Sequence, residues 1–415
     1  MNDLIEKGII AKNASRELAV LSVEKRNEAL HKMADALLEN SDYIIEQNEL
    51  DLENAKTYGV KPAMLDRLIL NKERIKSMVD GITEITSLPD PIGEVLSEVE
   101  RPNGLIITKK RVPIGVVGII YESRPNVTSD AAALCLKAGN VAFLRGGSEA
   151  IMSNRAIVEV MSKSAEKSGL PKGVINLVCD TSRETVNKMM KLNDYIDLLI
   201  PRGGKGLIKT VVENSTIPVI ETGSGVCHTY VSKYADLKMA EKIIINAKVS
   251  RPSVCNAMET LLIDNSIAKE FLPLIKDKLI DFGVEVRGCE KCLKICPDLI
   301  SATEEDWSSE YNDYILSVKI VDGVDDAIFH INKYSTNHSE AIITTDALEA
   351  DKFTSYIDSA AVYVNASTRF TDGNEFGLGA EIGISTQKIH ARGPMGLNEL
   401  TSIKYIVTGN GQIRE

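Results

Sequence analysis

The chain has 415 residues, 44% of them hydrophobic, with a formal net charge of −11. That length is ample for a buried core and usually for more than one domain. The acidic balance, without any basic block, argues against a nucleic-acid binder, which would gather Lys and Arg against phosphate. The longest apolar runs, such as 114–120, fall far short of the roughly 20 residues a membrane helix needs, so no membrane span is expected. Residues 1–7 carry acids where a signal peptide would be basic. Seven cysteines is an odd number. Free thiols in a reducing cytoplasm are therefore expected rather than a disulfide framework.

Residues 1–88 read as helical. Leu30, Met33, Ala34, Leu37 and Leu38 recur at helical spacing, Ser22 is a candidate cap, and Asn71 could open a further helix. Pro89-Asp90-Pro91 ends the region. Residues 92–99 and 105–112, separated by Arg101-Pro102-Asn103-Gly104, read as a hairpin, because Asn-Gly between apolar runs is a strong turn signal. From Val112 strands and helices alternate. Strands are predicted at 116–121, 141–144, 174–178, 196–200 and 218–220, with helices such as 130–138 and 150–168. A second series has strands at 228–231, 260–263, 284–287, 316–321, 341–344 and 361–364. Repeated βαβ units imply mostly parallel sheets with helices on both faces. Two α/β domains follow, and the cleft between them is the default site. A last strand, 403–407, has no obvious partner in its own series. No repeat or low-complexity tract is visible.

The sharpest local feature is Lys248-Val249-Ser250-Arg251-Pro252-Ser253-Val254-Cys255-Asn256. A helix ends near Lys248 and Pro252 breaks it, so Cys255 sits in an irregular connection. Lys248 and Arg251 would favour its thiolate, which is the nucleophilic form; the plainer reading is a buried loop cysteine. Cys135 lies in an apolar helix and reads as core. Cys179 ends a strand. Cys227 and His228 are strand neighbours and point to opposite faces. Cys289, Cys292 and Cys296 partly mimic an iron–sulfur run but lack a fourth ligand, so packing thiols are expected and no metal.

Two loops combine glycine with cations. Pro201-Arg202-Gly203-Gly204-Lys205-Gly206 follows a strand and opens a helix, and Leu144-Arg145-Gly146-Gly147-Ser148 also follows a strand. Either suits an anion, and either could be an ordinary βα turn. Gly377 to Gly383 is one residue too long for a dinucleotide fingerprint and lacks its strand–helix context. Glu122-Ser123-Arg124-Pro125-Asn126-Val127-Thr128 follows the strand 116–121, where ligands gather. Asn126 there could donate to an oxyanion, or Asn126 or Thr128 could cap a helix.

Residues 112–149, 247–261 and 360–396 resemble the gamma-glutamyl phosphate reductase family of the aldehyde dehydrogenase superfamily. Most specific are Tyr363-Val364-Asn365-Ala366-Ser367-Thr368-Arg369-Phe370-Thr371-Asp372-Gly373 and Ile389-His390-Ala391-Arg392-Gly393-Pro394-Met395-Gly396. The resemblance covers essentially the whole chain. It implies an aldehyde dehydrogenase-like α/β fold of two Rossmann-like parallel-sheet domains plus a small β oligomerisation element. The implied NADP-binding domain spans 1–91 and 112–226, the catalytic domain 227–385, and the oligomerisation element 92–111 and 386–415.

The implied activity is NADPH-dependent reduction of L-glutamyl 5-phosphate to L-glutamate 5-semialdehyde in proline biosynthesis, in the cytoplasm, by a homo-oligomer. Glutamate 5-kinase is the implied partner that supplies the acyl phosphate. Cys255 is the implied nucleophile, with Asn126 and the Cys255 backbone N–H as oxyanion donors. Arg145 and Ser148 would face the adenosine ribose, Gly203 and Gly204 the cofactor phosphates, and Glu310 the nicotinamide ribose. Glu221 resembles the superfamily's general base, although Thr222-Gly223-Ser224-Gly225 departs from the usual Gly-Gly-Lys that follows it. Ser367 and Arg369 are the best candidates for substrate carboxylate and amine contacts. His338 reads as a loop residue. Two rivals stand beside this reading: a coenzyme A-acylating aldehyde dehydrogenase, and a non-enzymatic cysteine or metal-binding protein.

Overall fold

The structure is a computed structural model that describes residues 3–57, 65, 67–122 and 124–414. Ser123 and the first two residues lie outside the described residues. The chain forms two compact units, one of residues 1–222, 377–383 and 395–415, the other of 223–376 and 384–394.

The first unit begins with four helices, Asp3–Leu18, Val23–Glu39, Ser41–Thr57 and Lys72–Ser87. Ser22 caps the second by accepting from Lys25 N at 3.3 Å, and Asn71 caps the fourth by accepting from Arg74 N at 2.8 Å. Each cap satisfies one backbone donor that the helix start cannot. Leu30, Met33, Ala34 and Leu37 are buried, while Leu38 turns outward.

Strands β1 (Val95–Glu100) and β2 (Ile106–Pro113) form the antiparallel hairpin. Its turn closes through Gly104 N–H donating to Arg101 O at 2.8 Å, with Gly104 at φ +83°, the left-handed region that glycine enters without penalty. The C-terminal strand Thr401–Thr408 pairs antiparallel with β2, from Thr401 opposite Pro113 to Thr408 opposite Ile106. The hairpin is thus the partner that strand lacked in the sequence. Strands β3 (Val116–Tyr121), β4 (Val141–Arg145), β5 (Ile175–Leu177) and β6 (Leu198–Arg202) form a parallel sheet in the order β5-β4-β3-β6. Every residue of β3 is buried, as an unbroken apolar run in a sheet covered on both faces requires. The strand predicted at 218–220 is reduced to an isolated bridge between Val219 and Leu199.

The second unit holds β7 (Cys227–Val231), β8 (Met258–Asp264), β9 (Glu285–Gly288), β10 (Ile300–Ser301), β11 (Ile315–Val321), β12 (Ser339–Ile343) and β13 (Ala361–Val364). They form one parallel sheet, in the order β10-β9-β11-β8-β7-β12-β13. Its core gathers Ile244, Met258, Leu261, Phe271, Ile275 and Val318. The two-residue β10 went unpredicted, being too short to carry a period. No described helix is long and apolar enough to cross a membrane.

Within the first unit Asn140 ties the C-terminal segment to the start of β3. Its amide donates to Leu400 O at 2.7 Å and its carbonyl accepts from Gly115 N at 2.9 Å. Asn140→Ala would leave both backbone groups without partners, each costing about 1–3 kcal/mol when buried. Urea unfolding should show a loss of roughly 2–4 kcal/mol; an unchanged midpoint would contradict this.

Candidate active site

In the second unit the candidate residues meet at the amino ends of the parallel strands. Cys255 lies in the irregular connection between the helix Leu237–Val249 and β8, half-buried. The chain entering β7 runs directly against it. A Cβ added at Gly225 would fall 1.5 Å from Cys255 O, so only glycine fits there. Gly225 N–H donates to Glu310 Oε1 at 2.9 Å. Cys227 Sγ donates to Cys255 O at 3.2 Å and lies 3.8 Å from His338 Nδ1. Burial pushes the Cys227 thiol well up. It therefore stays protonated and serves as a donor rather than a nucleophile. His338 does lie in the connection just before β12, but fully buried.

On the other side of Cys255, Asn256 is buried, and its side-chain amide and backbone oxygen are bonded. Its amide donates to Arg369 O at 3.2 Å and Thr371 O at 2.9 Å, its side-chain oxygen accepts from the Arg369 guanidinium, and its backbone oxygen accepts from Thr368 Oγ1 at 2.7 Å. Arg369 Nε also donates to Ser250 Oγ at 3.1 Å. Burial is the first cause that lowers the Arg369 guanidinium, and the neighbouring Arg251 lowers it further. Arg251 and Arg369 are thus the cations of this loop. Ser367 is buried and its hydroxyl accepts from Arg369 N at 3.3 Å, so it caps the short turn Thr368–Phe370.

Lys248 has a different role from the one its sequence position suggests. It is fully buried and paired with Glu259 at 2.6 Å, across the two ends of the Cys255 connection. Glu259 Oε1 accepts from Asn312 N at 3.2 Å, and Asn312 is held at φ +55° two residues after Glu310. Burial dominates both partners, raising Glu259 to about 7 and lowering Lys248. The charge of Lys248 is taken up by Glu259.

The candidate residues of the first unit lie after neighbouring strands β3, β4 and β6, at their carboxyl ends. Asn126 is the first residue of the helix Asn126–Lys137, exposed, and donates to Asp130 Oδ2 at 2.9 Å. Neither Asn126 nor Thr128 caps this helix; Thr128 is buried between Tyr121 OH at 2.6 Å and Asn154 at 2.8 Å. Burial raises Asp130 to about 6 against the hydrogen bonds of Asn126 and Ser129. Arg145 ends β4, half-buried, and donates to Thr181 O, while its Nε is buried without a hydrogen-bond partner. Ser148 is exposed at the start of the turn Ser148–Ala150. Gly203 and Gly204 precede the helix Lys205–Asn214, and Gly204 N–H donates to Glu122 Oε2 at 2.9 Å. A carboxylate thus holds a donor that the sequence pattern reserved for phosphate. Glu221 is half-buried in the irregular stretch before β7. Cys292 and Cys296 are buried in the apolar core of the second unit. Among the described residues no three His, Cys, Asp or Glu side chains converge on a metal position.

The aldehyde dehydrogenase family model matches residues 5–292. Gamma-glutamyl phosphate reductase of Clostridium botulinum is 61% identical over 414 residues, covering 100% of both chains. The enzyme of that name from Caldicellulosiruptor bescii is 59% identical over 419 residues, again covering 100% of both. The crystal structure of gamma-glutamyl phosphate reductase from Thermotoga maritima superposes with a TM-score of 0.98 at 50% identity, covering 100% of both chains. The chain belongs to the aldehyde dehydrogenase family and, within it, to the gamma-glutamyl phosphate reductases, and is an oxidoreductase. Its parallel-sheet α/β architecture is the aldehyde dehydrogenase fold. Family members use nicotinamide cofactors.

Sequence reading singled out Cys255, Glu310, Ser367 and Arg369, and the second unit brings them together. It missed Asn256, Gly225, Cys227 and Glu259. Asn256 had a visible signal, its adjacency to Cys255; the others depend on contacts between distant segments.

Removing one partner of a buried ion pair strands the other charge, at about 3–5 kcal/mol. Lys248→Met should therefore lower unfolding stability by roughly that amount. The double change Lys248→Met with Glu259→Leu should recover most of it in urea titrations. A single variant as stable as the parent would contradict the buried pair.

Proposed function

We propose that this enzyme reduces L-glutamyl 5-phosphate to L-glutamate 5-semialdehyde and phosphate with NADPH, through a thioester on Cys255. The observation that carries the proposal is the seating of Cys255 in a connection against which Gly225 packs and whose next residue, Asn256, is tied to Arg369 and Thr371. Homology to gamma-glutamyl phosphate reductases at about 60% identity over the full length supports the substrate.

An acyl phosphate carries a good leaving group, so the Cys255 thiolate can displace phosphate directly. The Cys255 backbone N–H and the Asn126 amide are assigned to the developing oxyanion. NADPH, when bound, supplies the hydride that reduces the thioester. Collapse of the tetrahedral adduct expels the Cys255 thiolate and frees the aldehyde. No water needs activating in this direction, so Glu221 is dispensable as a base. Arg369, bound to Asn256, offers its remaining donors to the substrate carboxylate, and Ser367 supports that loop as its cap.

The residues fit a dinucleotide. The orphaned buried Nε of Arg145 at the end of a parallel strand suits an anionic group, and Gly146, where a Cβ would lie 2.2 Å from Asn154 Nδ2, keeps the following turn tight. Arg145 and Ser148 would hold the adenosine ribose and its phosphate. The helix start at Gly203 and Gly204 would face the pyrophosphate once Glu122 yields, and Glu310 would take the nicotinamide ribose.

A second copy of this chain is the proposed partner of the three-stranded sheet, where Val95, Val99, Ile106, Ile403, Ile406 and Val407 are exposed. Glutamate 5-kinase is the proposed source of the acyl phosphate, and the cytoplasm the proposed location.

The activity is tested in reverse. Glutamate 5-semialdehyde should reduce NADP beyond a single turnover only when phosphate is present, and Cys255→Ser should lose several orders of magnitude in rate while remaining folded, serine being a far weaker nucleophile. Turnover with coenzyme A in place of phosphate, or near-parental turnover by the variant, would overturn the reading.

Cofactor choice is tested by titration. NADPH should bind more tightly than NADH, and Arg145→Ala should weaken NADPH selectively, since guanidinium pairs well with phosphate. Equal affinities for the two cofactors in the parent enzyme would contradict this.

A further inference from the structure

The C-x2-C segment at Cys289 and Cys292 takes no part in the chemistry above. Cys289 follows β9 and precedes the short helix Glu290–Ile295, which carries Cys292. The two sulfurs lie 3.6 Å apart. Cys289 is half-buried, whereas Cys292 is fully buried in the apolar core. Backbone groups of β11 fix both sulfurs: Ile320 N–H donates to Cys289 Sγ at 3.5 Å, and Cys292 Sγ donates to Val318 O at 3.4 Å. A Cβ added at Gly288 would lie 2.7 Å from Cys292 Cβ, so glycine there allows the pair to pack closely.

We infer that Cys289 and Cys292 form a redox-active dithiol that reacts with low-molecular-mass disulfides, at a site distinct from Cys255. Cys289 is the reachable sulfur and so the attacking one; Cys292 is held behind it as the resolving one. Contact with the Cys292 sulfur is the first cause that lowers Cys289, and the same contact raises Cys292. That asymmetry is the one thiol–disulfide exchange uses.

In the first step the Cys289 thiolate attacks one sulfur of a disulfide, its S–S bond breaks, and one thiolate leaves. In the second, Cys292 loses its proton and attacks the Cys289 sulfur of the mixed disulfide, expelling the second thiolate. Two protein thiols are oxidised, and the small disulfide is reduced to two thiols that take up the two protons. The inference does not depend on the proposed substrate.

The test uses the full chain and glutathione disulfide, with alkylation, intact mass and peptide mapping. The parent should form one internal Cys289–Cys292 disulfide that glutathione reverses. Cys292→Ser should instead accumulate a mixed disulfide at Cys289, and Cys289→Ser should abolish both products. In the untreated parent, iodoacetamide should label Cys289 about tenfold or more faster than the exposed Cys179, a readout that needs no variant. Labelling of Cys289 no faster than Cys179, absence of the internal disulfide, or tight stoichiometric zinc on these sulfurs would each overturn the inference.

Discussion

The connection that carries Cys255 is closed at its base by one buried contact, the pairing of Lys248 with Glu259. The two residues bracket the Cys255 connection, one at the end of a helix and one inside β8. Buried ion pairs add little net stability, because desolvation offsets their attraction. Their strength is in specifying geometry: a lysine and a glutamate taken out of water must each find a partner, and here they find each other. Here the pair closes the loop on itself. Through Asn312 N–H it also sets the turn that presents Glu310, and Glu310 in turn holds Gly225 against Cys255. The arrangement is a circuit of contacts around the Cys255 backbone, with the charges at its base.

The two units use opposite ends of their sheets. In the first, the candidate cofactor residues follow β3, β4 and β6 at their carboxyl ends, where ligands of open α/β sheets gather. In the second, Cys255, Glu310 and the Gly225 stretch all precede strands. A side chain in the connection before a strand needs external support, since no strand end positions it. Arg369 and Thr371, distant in sequence, supply that support through Asn256.

Much of the fold was legible in the sequence, because its signals are local. β3 was bounded correctly by an unbroken apolar run, the Ser22 and Asn71 caps by their spacing, and the hairpin by Asn103-Gly104. The strand predicted at 218–220 survives as a single bridge, since nothing local distinguishes a short apolar run that pairs fully from one that does not. At the candidate site, the placement of Cys255 in an irregular connection was legible. The role of Lys248 was not: sequence adjacency placed its charge beside the thiol, whereas burial sent it to Glu259. Gly204 was read as a phosphate donor, but Glu122, distant in sequence, already accepts from it. Both differences arise where a partner comes from another segment.

The proposed chemistry is tested most directly by trapping the covalent intermediate. The enzyme would be mixed with glutamate 5-semialdehyde and NADP in the absence of phosphate, quenched in acid, and examined by intact mass and peptide mapping. The account predicts a single added glutamyl group, on the peptide containing Cys255, discharged when phosphate is supplied before the quench. An adduct on another residue, or NADP reduced with no adduct formed, would contradict it.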